Sequence, residues 1–259
     1  HLGRVVCYKS LRPEFADDPI EQKRLLREAR VSAMLQHPNT MPTYELGRDQ
    51  KGHYYFTMKL VHGYTFREIM NYRERYDLSQ LLDIVIQVAY ALEYAHTHGV
   101  VHRDIKPDNI LVGPFGEVLL LDWGLAKVRS EDGSTAAFDE LDSLVSSEDK
   151  SMTGFQKLQG TVCYMSPEQM EKAPDIDGRT DIYSLGVLLY EAITGRTAAV
   201  GDTVDQVIAS TKNDIPPIPS EITQLPVPTL LDKLIMHCLQ KNPDHRPQTM
   251  AEVIRSLKQ

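Results

Sequence analysis

His102-Arg103-Asp104-Ile105-Lys106-Pro107-Asp108-Asn109, followed further on by Asp122-Trp123-Gly124, constrains this chain more than any other part of it. Pro107 stops any helix there, so Asp104 and Asn109 stand five positions apart on a short loop. Ile110-Leu111-Val112 and Val118-Leu119-Leu120-Leu121, joined by Gly113-Pro114-Phe115-Gly116, predict a hairpin. Asp122 ends the second apolar run, so a buried strand finishes in an acid and points a hard oxygen ligand out of the sheet edge. Carboxylate and amide oxygens suit Mg²⁺ better than a softer metal.

Around this core the patterning changes character along the chain. Residues 4–9 and 54–60 predict strands, rich in aromatic and β-branched side chains. Between them Pro19 to Gln36 predicts a helix with Ile20, Leu25, Ala29 and Leu35 on its apolar side and Pro38 closing it. From Ser79, Leu81, Ile84, Val85, Val88 and Leu92 keep helical spacing up to Gly99, and Leu82 and Ile86 add a second apolar side that predicts burial nearly all round. Asp181 to Ile193, ending near Gly195, predicts another apolar helix, and further helices are expected over Leu230–Leu239 and after Pro247. Glu131 to Asp149 holds seven acids and neither Lys nor Arg, which reads as a solvated, partly disordered loop or as a regulatory insert.

A chain of 259 residues can bury a proper core, and 42% hydrophobic with 25% charged residues is the composition of a globular protein. A formal charge of −8 argues against nonspecific nucleic-acid binding, and no apolar run approaches the length of a membrane span. Cys7, Cys163 and Cys238 are scattered, which suits a reducing compartment and supports neither a disulfide framework nor a zinc site.

The two opening strings resemble the catalytic and magnesium loops of protein kinases, HRDxxxxN and DFG, and the likeness covers nearly the whole chain. It is strongest toward the bacterial Hanks-type Ser/Thr kinases. The resemblance implies an α+β, two-lobed fold: a small β-rich N-lobe over residues 1–60, lacking its first two strands, and a large, mostly helical C-lobe over 61–259. The activation segment would run over 122–168 and contain the acidic insert 131–149. The implied cofactors are ATP and Mg²⁺, and the implied partner is a protein with a Ser or Thr acceptor.

On the family pattern, Lys9 in Val5-Val6-Cys7-Tyr8-Lys9 would contact the α- and β-phosphates, with Glu28 as its ion-pair partner. Lys9 alone would read as a surface lysine; its distance from Glu28 favours the functional role. Asp104 would accept or orient the substrate hydroxyl proton, and Lys106 would sit near the γ-phosphate. Asn109 and Asp122 would hold Mg²⁺. Met58 would be the gatekeeper, although it also reads as core filler; Lys59, Leu60 and Val61 would form the hinge, and Leu111 would pack under adenine. Thr161 would mark a Ser/Thr-type substrate loop, and Arg103 could pair with a phosphate on the activation segment. Ser151 and Thr153 are the expected phosphorylation sites, ahead of Ser134, Thr135, Ser146 and Ser147. Glu168 and Arg246 resemble a buried anchoring pair, and Asp181 resembles the helix acid that holds the catalytic loop.

Two departures stand out. A Gly-rich phosphate loop is absent ahead of Lys9, so the expectation is either a clipped chain or one that works without the loop at a cost in ATP affinity and turnover. Trp123 replaces the usual Phe and, being aromatic, is expected to pack in its place. A kinase that signals and autophosphorylates is therefore the leading expectation, in the cytoplasm or as the cytoplasmic part of a membrane-anchored protein. Its rivals are a pseudokinase scaffold, which the missing loop favours, and a small-molecule phosphotransferase. Substrate, activating signal and oligomeric state are not legible.

Overall fold

The structure is a computed structural model that describes residues 3–128 and 160–259. The acidic stretch 131–149 and the six expected phosphorylation sites, Ser134, Thr135, Ser146, Ser147, Ser151 and Thr153, lie outside the described residues.

The first layer is a three-stranded antiparallel sheet ordered β1-β3-β2, from β1 (Val6–Ser10), β2 (Thr43–Arg48) and β3 (Tyr54–Lys59). Against it packs α1 (Pro19–Met34), started by Pro19 and by Asp18, whose carboxylate accepts from the Ile20 amide at 2.8 Å and the Glu21 amide at 3.3 Å. Leu25, Glu28, Ala29 and Ser32 fall at helical spacing and are all buried, which is why Glu28 faces the sheet. Leu25, Ala29 and Phe56 form the small core of this layer.

Several boundaries differ from expectation. The first strand covers 6–10 rather than 4–9, β3 stops at Lys59, and α1 stops at Met34 because Leu35 turns to extended backbone (φ −87°, ψ 99°). Thr40 holds that turn, its hydroxyl donating to the Leu35 carbonyl at 2.9 Å. Strand β2 has no counterpart in the expected elements.

Beyond β4 (Tyr64–Thr65) and the short α2 (Phe66–Met70), α3 (Leu78–Thr97) begins at an Asp77–Gln80 capping box and is followed by Gly99 at φ 71°. Leu82 and Ile86 are only half-buried, so α3 has a solvent face; its buried residues follow one stripe. The helix Arg179–Thr194 is the truly enclosed one: every residue except Arg179 and Glu191 is buried. It forms the main core with α3 and the helices Thr229–Cys238 and Met250–Leu257.

The expected hairpin is present as β6 (Ile110–Val112) and β7 (Val118–Leu120), in register Ile110 with Leu120 and Val112 with Val118, with β4 on its other edge. Two further strands, β5 (Val100–Val101) and β8 (Lys127–Val128), pair beside it. The two layers are tied together at Asn39 and Thr40. The Leu120 amide donates to the Asn39 carbonyl at 2.8 Å, and the Asn39 side chain donates to the Val118 carbonyl at 2.8 Å and to Gln87 Oε1 at 3.0 Å. No helix among the described residues is long and apolar enough to cross a membrane.

Candidate active site

The hairpin positions the site. Leu121 lies past the end of β7, and its amide donates to the Asn109 carbonyl at 2.8 Å, so the chain leaving β7 toward Asp122 runs beside the residue that enters β6. Asp122 takes a left-handed backbone (φ 62°), as does Arg103 (φ 67°). Such a conformation costs a non-glycine residue on the order of 1–3 kcal/mol and persists where its surroundings enforce it. At Arg103 the enforcement is visible. Its amide donates to Asp181 Oδ1 at 2.9 Å, its Nε to the Leu125 carbonyl at 2.7 Å, and its carbonyl accepts from Gln169 Nε2 at 2.8 Å.

Asp181 is wholly buried, and its Oδ2 accepts from the His102 amide at 2.9 Å and from His96 Nε2 at 2.8 Å. Burial pushes its pKa up, but the His96 hydrogen bond and charge, with His102 and the Arg103 amide, outweigh that and hold it below the usual aspartate value. His102 spends both ring nitrogens locally: Nε2 donates to the Leu121 carbonyl at 3.0 Å and Nδ1 accepts from the Asp104 amide at 3.2 Å. Its ring lies 4.5 Å from that of Trp123, which is fully buried in the expected place. The catalytic loop is thus clamped from beneath by one carboxylate and from the side by an aromatic pair.

Asp104, 7% exposed, presents its carboxylate to Lys106, whose Nζ donates to both oxygens at 2.9 and 2.7 Å and reaches Thr161 Oγ1 at 3.3 Å. Asn109 Nδ2 donates to the Asp104 carbonyl at 2.8 Å and its Oδ2 at 2.9 Å, which leaves Asn109 Oδ1 as a hard ligand. Opposite, Lys9 Nζ meets Glu28 Oε1 at 2.5 Å. Burial raises the Glu28 pKa most; Lys9 pulls it down and the Asp122 charge pushes it up again, leaving it above the usual value.

One cavity of about 240 Å³ gathers Lys9, Glu28, Met58, Asn109, Leu121 and Asp122, with Ser32, Met41, Thr43 and Phe56 behind them. Lys59, Leu60, Val61 and Leu111 are outside its lining, as are Asp104 and Lys106. The Lys59 amide donates to the Pro42 carbonyl at 3.0 Å, and Leu111 pairs with Leu119 within the hairpin. A larger cavity, about 430 Å³, is lined by His96, Asp177, Arg179 and Gln248 among others; it contains none of the expected catalytic residues, so size does not locate this site.

The donor set suits a magnesium nucleotide. No group of three or more His, Cys, Asp or Glu capable of enclosing a metal occurs among the described residues. Two oxygen ligands, Asn109 Oδ1 and Asp122, are what Mg²⁺ takes from a protein when phosphates and water supply the rest. Glu168 and Arg246 meet as expected, with bidentate contacts of 2.7 and 2.8 Å and the guanidinium fully buried. Sequence reading missed His96, Gln169 and a cluster of Arg67, Tyr164 and Glu191; the contacts His96–Asp181, Gln169–Arg103, Arg67–Tyr164 and Arg67–Glu191 span 66 to 124 residues, and no local pattern signals them.

Comparison with known proteins agrees with this geometry. A family model described as a protein kinase domain matches residues 1–256. A probable serine/threonine-protein kinase of Streptomyces coelicolor is 35% identical over 255 residues, 97% of this chain and 35% of that protein. Serine/threonine-protein kinase PknB of Mycolicibacterium smegmatis is 33% identical over 97% of this chain and 38% of its own length. PknD of Protochlamydia amoebophila is 34% identical over 98% of this chain and 27% of its own. The chain therefore spans about a third of the length of these relatives. With the clamped Asp104 loop, the Lys9–Glu28 pair and a matching model along almost its entire length, the chain belongs to the protein kinase domain family and has bacterial serine/threonine-kinase relatives.

Proposed function

We propose that this chain is a serine/threonine protein kinase domain that moves the γ-phosphoryl group of ATP to a Ser or Thr hydroxyl of a protein. The observation that carries the reading is Asp104: a nearly buried carboxylate held by Lys106 and Asn109, next to a cavity edged by Lys9, Glu28 and Asp122. Asp104 orients the acceptor hydroxyl and takes its proton as the oxygen attacks phosphorus and the bond to ADP breaks. Lys106 places positive charge beside the group in transfer, and Lys9, fixed by Glu28, grips the remaining phosphates. Mg²⁺ held by Asn109 and Asp122 would neutralise phosphate charge. Met58 and the segment Lys59-Leu60-Val61, with Leu111 beneath, supply the adenine side.

The same reading divides the chain near residue 60 into its two lobes, places it in the cytoplasm where ATP is available, and assigns the acidic insert 131–149 to tuning of the activation segment 122–168. Label transfer from γ-labelled ATP with Mg²⁺ tests it, on the chain and on Asp104→Asn. Transfer to protein Ser or Thr that disappears in the variant supports the reading. Nucleotide binding without transfer would favour a scaffold, and transfer to an aminoglycoside or choline instead would favour a small-molecule enzyme.

A further inference from the structure

A charge cluster outside the catalytic residues includes Asp108 of the same loop. Its centre is Arg67, placed by the start of α2. The Thr65–Glu68 capping box fixes the first turn, and Phe66, Ile69 and Met70 turn inward, which leaves Arg67 to reach across. Its Nη1 donates to Glu191 Oε1 at 2.7 Å, its Nη2 to the Tyr164 hydroxyl, and its Nε lies 3.6 Å from Asp108 Oδ2. The Tyr164 hydroxyl in turn donates to Glu191 Oε2. Glu191 is, with Arg179, one of the two residues of the helix Arg179–Thr194 that are not buried, and neither residue adjacent to it along that helix carries a charge.

The position of this cluster gives it a role. Asp108 follows Asp104 by four residues in one loop, so the two are at most about 14 Å apart even on a fully extended chain. Tyr164 is one turn on from Thr161, whose hydroxyl touches Lys106, and the Tyr164 amide donates to the Thr161 carbonyl at 3.1 Å. The reach from an acceptor at Asp104 to the cluster is therefore at most about four extended residues of a peptide. Without Arg67, the walls of the cluster would be two carboxylates and a hydroxyl, a receptor for a guanidinium or ammonium group. With Arg67 present, that receptor already holds one.

We propose that Arg67 is a specificity residue: it fills an acidic subsite formed by Asp108, Glu191 and Tyr164, and so makes the enzyme indifferent to a basic side chain within about four positions of the phosphorylated residue. The inference rests on the kinase reading above. Its test is a set of Ser-containing peptides in which one Arg is walked from four positions before the acceptor to four after it, each compared with the Ala peptide by kcat/KM and by peptide binding in fluorescence anisotropy. Wild type gives Arg/Ala ratios within about three-fold at every position. Arg67→Gln opens the subsite and raises the ratio at one position by roughly ten-fold or more, the size of a charge-assisted hydrogen-bonded contact. Adding Glu191→Gln to that variant removes the gain. Arg67→Lys keeps a positive charge at the site, so it folds even if the Gln variant does not; its point charge cannot bridge three partners, and a gain of about three-fold is expected.

A wild-type enzyme that already prefers Arg at one position, unchanged in the variants, would overturn the proposal, and so would variants with flat ratios. Those results leave the kinase reading intact. Absence of transfer to every peptide, together with no peptide binding by any variant, would remove both.

Discussion

Asn109 is bound to Asp104 twice by its amide nitrogen, once at the backbone carbonyl and once at the carboxylate, at 2.8 and 2.9 Å. A residue expected to hold metal is therefore also the one that aims the carboxylate expected to take the proton. Asn109→Ala should lower kcat/KM by roughly 10²-fold, the usual cost of a catalytic group displaced by about an ångström. It should also raise the Mg²⁺ concentration needed for half-maximal rate. A Mg²⁺ titration that is unchanged in the variant would show that Asn109 only positions Asp104.

Glu28 separates activity from stability. Its carboxyl protonates above the ordinary value of 4.5, chiefly because it is buried. Between the unfolded and folded values the native state holds the extra proton, so stability falls as pH rises through that window, and the cost is fully present above the folded value. Glu28→Gln should then unfold at the same or a higher temperature at pH 7, since Lys9 is partly solvated without its partner. Transfer should nevertheless drop, and the acid limb of the rate profile, set above the usual glutamate range in the wild type, should flatten. A lower melting temperature would contradict this account.

The Glu168–Arg246 pair behaves in the opposite sense. Burial raises the Glu168 pKa, but the hydrogen bonds and charge of Arg246, with Thr180, leave it below 4.5. Its contribution to stability is complete above the ordinary glutamate value and is lost as pH falls through the lower folded value. Arg246 also donates to the Gln240, Arg179 and Lys241 carbonyls. Arg246→Met leaves Glu168 buried without its cation and should cost about 3–5 kcal/mol in urea unfolding.

Trp123 should tolerate Phe. The indole Nε1 is buried with no hydrogen-bond partner among the described residues, a defect on the order of 1–3 kcal/mol. The smaller ring removes that defect and loses packing of similar size, roughly 1–2 kcal/mol. Thermal unfolding of Trp123→Phe should therefore shift by no more than a few degrees, with label transfer retained.

The catalytic strings were legible because their chemistry is local: Pro107 breaks a helix, Gly116 at φ 83° turns a hairpin, and an apolar run ends at Asp122. Glu28 was legible through helical spacing against Leu25 and Ala29. Strand β2 was not, because Thr43–Arg48 lies at the sheet edge with most side chains exposed, so it lacks the alternation that marks a half-buried strand. Leu82 and Ile86 misled in the other direction: their apolar side chains lie at the rim of the core, where half-burial suffices. Arg67 with Tyr164 and Glu191, and His96 with Asp181, are contacts between residues 85 to 124 positions apart, and only the folded chain brings them together.

The tie at Asn39 and Thr40 has a mechanical meaning. The sheet layer is joined to the helical layer by the covalent crossing at residues 60–63 and, separately, by Asn39 bonded to Val118, Leu120 and Gln87. Val31 and Leu35, at the end of α1 and just past it, are also buried in the main core with α3, so the two layers meet along a packed seam as well as at these bonds. Lys9 and Glu28 belong to the sheet layer, while Asn109 and Asp122 belong to the helical one. Moving Glu28 away from Asp122 would thus draw Val31, three residues further along the same helix, out of the main core, so the packing of α1 resists separation of the phosphate-gripping pair from the metal ligands.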